Sequence, residues 1–136
     1  MSILVPEVTI TLHGHTYIAD VTLGLYHENH QPAILLLTSA DDPDMYAGEL
    51  LTKATTNVDR AYLTGMPENC IVAKTWSENE GLWGQLLPLK GPDNLPLFRP
   101  LGKAVMLSPY VHGEVIQLVN HAVYALKTLR GELGAH

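Results

Sequence analysis

The sequence predicts an α+β domain, a mostly antiparallel sheet of about five to seven strands with a central helix and a C-terminal helix covering one face. Three observations carry that class. Apolar and polar residues alternate over 8–12 and again over 17–25, the period of half-buried strands. The stretch T-W-S-E-N-E-G-L-W at 75–83 holds the clearest helix start in the chain. Val119, Val123, Leu126 and Leu129 form an apolar stripe at helical spacing near the C-terminus.

Taken in order, residues 8–12 (V-T-I-T-L) form the first strand, and His13-Gly14-His15 interrupts it. Tyr17, Ala19, Val21, Leu23 and Leu25 then share one face of a second strand. Residues 27–31 (H-E-N-H-Q) are polar and turn-like, and 32–38 (P-A-I-L-L-L-T) reads as a strand buried on both faces, too short for a helix. Asp41-Asp42-Pro43-Asp44 marks a solvated turn. Residues 46–56 allow a helical turn, but Thr52, Thr55 and Thr56 favour a strand. Residues 58–63 are a loop or short helical turn, 65–69 (G-M-P-E-N) a turn, and 70–75 a strand.

A helix is expected over 78–87. Ser77 and Glu80 stand in the capping-box relation: the Ser77 hydroxyl accepts from the Glu80 amide, and the Glu80 carboxylate reaches back to the Ser77 amide. Leu82, Trp83, Leu86 and Leu87 fall at helical spacing and Pro88 ends the run. Pro92, Pro96 and Pro100 predict an extended loop, followed by strands at 103–107 and 114–119 around a turn at 108–113. Asn120 is an acceptable N-cap for a helix over 121–131, with Lys127 and Arg130 near the end that favours cations.

The 136 residues contain no long linker, so one domain over 1–136 is expected. Apolar residues at 46% against 16% charged allow a sizeable core. Fourteen acidic against eight basic residues give a formal charge of -6, which argues against binding duplex nucleic acid and leaves room for a basic protein partner. The single cysteine excludes an intrachain disulfide and suits a reducing compartment. No basic, apolar leader opens the sequence, and no apolar run approaches the roughly 20 residues that span a bilayer, so a cytoplasmic protein without membrane contact is expected.

His13 and His15, with His27 and His30 one strand further on, can supply imidazoles to zinc if a hairpin brings the pairs together; the simpler reading is exposed turns. Glu78 and Glu80 point to different sides of a helix start and cannot flank one bond. Cys70 opens an apolar strand, where a thiol is inert. No nucleophile elbow, P-loop, dinucleotide fingerprint or EF-hand can be drawn. An enzyme is therefore the weaker class, and no cofactor is expected. For partner binding, the proline-rich loop offers Phe98 and Arg99, and Trp83 and Tyr110 are further anchors. The terminal stripe either folds onto the sheet or pairs two copies into a homodimer.

Lys74-Thr75-Trp76-Ser77-Glu78-Asn79-Glu80-Gly81 resembles the Lys-x-aromatic-Ser-Glu-Asn-Glu-Gly core of an uncharacterised family carried by phages, plasmids and integrative elements, domain of unknown function 4313. Asp44-Met45-Tyr46, Leu51-Thr52 and Asn57 resemble its upstream turn and strand; Gly102 and Val115-Ile116-Gln117-Leu118 resemble its closing glycine and strand. The likeness spans about 16–119, and the helix over 120–136 is additional. It implies a compact α+β fold and a mobile-element origin, with no activity to borrow. The expectation is a non-enzymatic accessory protein that binds a protein partner and interferes with a host defence or restriction system. The alternatives are a small zinc enzyme using the N-terminal histidines, and a structural or regulatory homodimer.

Overall fold

Eight antiparallel strands in two four-stranded sheets, with two helices, make up the chain in a computed structural model that describes residues 1–76 and 79–134. The first sheet is a meander of β1 (Ser2–Leu12), β2 (His15–Leu25), β3 (Pro32–Thr38) and β4 (Leu50–Lys53). The second has the order β5 (Thr55–Thr56), β6 (Cys70–Ala73), β8 (Val111–Leu118), β7 (Phe98–Ser108). The expected α+β class and antiparallel pairing hold. The strands divide between two sheets because the strand expected over 46–56 bends at Ala54 and changes partner: Lys53 pairs with Leu35 of β3, whereas Thr55 pairs with Ala73 of β6.

Alternation places side chains on two cores. Ile10, Ala19, Val21, Leu23, Ile34 and Leu36 of the first sheet meet Ile71, Ala73, Ile116 and Leu118 of the second in the main core. The other face of the second sheet presents Cys70, Val72, Val105 and Val115, covered by Val58, Leu63 and Met66 from the 57–69 connection. That connection carries one 3-10 turn, Arg60–Leu63.

Two strands run longer than expected. β1 starts at Ser2 and accommodates Pro6 through a register shift between Val5 and Val8, with Glu7 at a φ of 56° and its amide donating to Asp20 Oδ1 at 3.0 Å. β7 begins at Phe98, where a loop was expected, because Pro100 lies on an edge strand that needs no further ladder donor. The segment before it folds back on itself, with Lys90 bridging Pro96 and the Gly91 amide donating to Leu95 O at 3.0 Å. In the turn at 41–44, Asp42 accepts from the amides of Ile18 and Asp44, each at 2.9 Å. Those amides, Ile18 first, hold its carboxyl below the usual range.

The central helix differs from expectation. It is α1 (Leu82–Leu86), and its N-cap is Gly81 at a φ of 80°, a left-handed conformation that costs glycine nothing. Glu80 lies in the turn ahead of it; Ser77 and Glu78 lie outside the described residues, so both bonds of the expected capping box do too. Leu82, Trp83 and Leu86 enter the main core. The C-terminal helix is α2 (His121–Gly134). Asn120 precedes it in left-handed backbone, its side-chain amide donating to Pro96 O at 2.8 Å. Ala122, Ala125 and Leu126 are buried and Val123 and Leu129 pack against the same core, so the apolar stripe is used within the chain.

Candidate functional site

Where a strand changes sheets, backbone carbonyls leave their ladder and need other donors. Here side chains supply them. Fully buried Asn79 donates through Nδ2 to Lys53 O at 2.6 Å, and its Oδ1 accepts from Thr52 Oγ1 at 2.6 Å. Trp83 Nε1 donates to Ala54 O at 2.7 Å, and the Lys74 amide donates to the same carbonyl at 2.9 Å. On the other side of the bend, the Ala54 amide donates to Ile34 O at 2.8 Å. Among the described residues no buried side-chain nitrogen or oxygen lacks a partner. Lys74 and Asn79 of the K-T-W-S-E-N-E-G stretch, with Trp83 beyond it, thus clamp the corner at Ala54. The most consequential polar residue of the stretch, Asn79, had been read only as part of a helix start.

The clamp also sets Trp76, whose carbonyl accepts from the Asn79 amide at 3.2 Å. Trp76 is half-buried and stands between two adjoining hollows of about 500 and 520 Å³. One is lined by Tyr26, Glu28, Lys53, Thr55 and Lys74, the other by Asn29, Val58, Asp59, Tyr62, Leu107 and Val111; Thr56 and Asn57 belong to both. The rim is built by tertiary hydrogen bonds. Asn29 Nδ2 donates to Asn57 Oδ1 at 2.9 Å, and the Tyr26 and Thr55 hydroxyls lie 2.8 Å apart. Burial pushes the Tyr26 hydroxyl above its ordinary pKa. Beyond the groove, the β7–β8 turn projects Tyr110 with 95% of its surface exposed, and Tyr62 is 54% exposed.

The residues expected to bind a partner separate into two groups. Phe98 and Trp83 are 3% and 4% exposed and meet edge to face at 5.2 Å in the main core, so neither can anchor an interface on the folded chain. Arg99 is exposed on β7, next to buried Phe98, and Tyr110 is exposed at the hairpin tip. Tyr62 and the Trp76 groove replace Phe98 and Trp83 as the aromatic surface.

The four histidines that the zinc alternative would use are not brought together. His13 and His15 flank the β1–β2 turn, whereas His27 and His30 lie in the β2–β3 turn. Successive turns of a meander fall at opposite ends of the shared strand, and β2 is 11 residues long. At about 3.3 Å per residue the two pairs stand roughly 30 Å or more apart. All four are exposed, His15 against the ring of Tyr17 at 4.4 Å. No cluster of three or more His, Cys, Asp or Glu that could hold a metal ion occurs among the described residues. Cys70 is buried, its Sγ 3.1 Å from Pro67 O, and burial raises its thiol pKa. No helix among the described residues is long and apolar enough to cross a membrane. The chain matches no family model, no curated protein and no solved structure.

Proposed function

We propose that this chain is a non-enzymatic accessory protein that binds a protein partner through the Trp76 groove and the adjoining β7–β8 tip. The single observation that carries this reading is Tyr110, almost wholly exposed at the end of a hairpin, close in sequence to the Ser108 and Val111 that line the groove. Aromatic side chains projecting beside a concave, amide-rich surface are the groups that anchor interfaces. The formal charge of -6 favours a partner with a basic face. The partner class we propose, a component of a host defence or restriction system met by a mobile element, rests on the resemblance of 74–81 alone.

Photo-crosslinking tests the surface. A benzophenone side chain is placed at Tyr110, Tyr62 or, as control, Tyr46, which is 84% exposed in the β3–β4 connection. The same adduct from positions 62 and 110 but not 46 is the expected result. No adduct at 110, or equal adducts at all three positions, removes the proposed surface. An adduct whose partner belongs to neither defence nor restriction keeps the surface and removes that assignment.

A further inference from the structure

A second cavity, of about 580 Å³, lies beneath 60–70 and shares no lining residue with the Trp76 groove on its β7–β8 side. We infer that it binds a small organic oxyanion, a phosphate or carboxylate, between Arg60 and Arg130. The volume falls in the range of about 300–1,000 Å³ typical of small-ligand sites. The chain has three arginines against 14 acidic residues, and two of the three, from the 3-10 turn and from α2, line this one concavity. Arg130 donates through one Nη2 to His30 O at 3.3 Å, which fixes its guanidinium while leaving most of its donors for a ligand. Among the described residues Arg60 makes no hydrogen bond or ion pair with its side chain. Glu68 also faces the cavity, yet pairs with neither arginine.

An oxyanion seated in a hollow lined by two arginines can fill their planar donor forks with paired hydrogen bonds. The remaining walls suit the body of such a ligand. Gln31 and Asn69 supply side-chain amides, and Pro32, Leu63 and Met66 supply apolar contact. Glu68 favours an anion that also carries a hydrogen-bond donor.

The test is a titration of the full chain with inorganic phosphate, pyrophosphate and citrate, followed by amide chemical shifts and by calorimetry. The phosphate and citrate arms distinguish the two sources of oxyanion. Arg60→Gln and Arg130→Gln should each weaken the best probe by about tenfold or more, and Arg99→Gln, outside the cavity, should leave it unchanged. Arg60→Lys should recover part of the loss, since it keeps charge but not the fork. Absence of saturable binding by all three probes at about 10 mM overturns the site. So does equal weakening by Arg99→Gln, which marks diffuse surface binding, or a loss confined to one of the two cavity arginines.

Discussion

Asn79→Ala is the sharpest perturbation of the corner at Ala54. The substitution removes a donor 2.6 Å from Lys53 O and an acceptor 2.6 Å from Thr52 Oγ1 at a residue with no exposed surface. Each hydrogen bond contributes about 1 kcal/mol net, and an orphaned buried partner adds about 1 kcal/mol or more. Thr52 Oγ1 can fall back on Lys53 O, now 3.5 Å away, which recovers part of its loss. The expected destabilisation is therefore about 3 kcal/mol, which for a chain of this length lowers Tm by on the order of 10 °C. Urea unfolding followed by tryptophan fluorescence measures it where it matters, because both tryptophans, Trp76 and Trp83, flank the corner. Asn79→Asp keeps an acceptor for Thr52 but turns an anion toward a carbonyl, and should lose at least as much near neutral pH. A loss below about 1 kcal/mol for either variant would refute the clamp.

Four further outcomes are expected. Trp83→Phe leaves the Ala54 carbonyl one donor short and should cost about 1–2 kcal/mol, with Phe98 still in place; no loss in urea midpoint sinks the proposed role of Nε1. A Cβ at Gly113 would overlap Val72 Cγ1, so Gly113→Ala should lose about 1–3 kcal/mol, and Val72→Ala in the same chain should recover part of it. Additive losses would contradict that contact. Asp42 has a folded pKa below its ordinary 3.8, so its contribution is complete above about pH 4 and fades as pH falls through the native value. The stability gap between the wild type and Asp42→Asn should accordingly shrink from about pH 7 to about pH 3, and a constant gap would contradict it. Cys70, buried and raised in pKa, should react with iodoacetamide only as fast as the chain opens; rapid labelling of the native protein would show an accessible thiolate.

What the sequence made legible was local. The alternation at 8–12 and 17–25, the apolar run at 32–38 and the strand opening at Cys70 all read correctly, because a period of two needs only neighbouring residues. The terminal helix was placed at its first residue, His121, and runs to Gly134 rather than 131. The corner was not legible. Asn79 sits in a run of polar residues that suits a helix start, and its partners Thr52 and Lys53 lie 27 and 26 positions away. The tertiary pairing therefore overrode a local capping reading. Phe98 sits among prolines that locally favour a loop, and only the edge position of β7 explains why Pro100 does not break the strand. His13 and His27 lie in turns and His30 in the same connection, as their polar segments suggest, whereas His15 opens β2; the parity of a meander, which sends alternate turns to opposite ends, is not visible in residue type.

That contrast bears on what a shared octapeptide means. Within 74–81, the Lys74 amide and Asn79 hold the corner, and Gly81 supplies the left-handed turn into α1. Two chains alike in these positions need have nothing in common beyond a strand that changes sheets and must satisfy its carbonyls there. Among the described residues of this stretch, Lys74 and Trp76 border the groove and Glu80 is exposed. The groups that differ most easily between such chains are elsewhere: Arg60, Tyr62 and Glu68 on the 57–69 connection, and Tyr110 at a hairpin tip. These positions are exposed and tolerate change without disturbing either core. Substitution at Asn79 or Gly81, with Trp76 kept, should therefore change stability of the corner but not partner choice, whereas exchanging Tyr62 and Tyr110 should alter crosslinking with little change in urea midpoint. A partner lost on the first change and retained on the second would reverse the assignment of scaffold and surface.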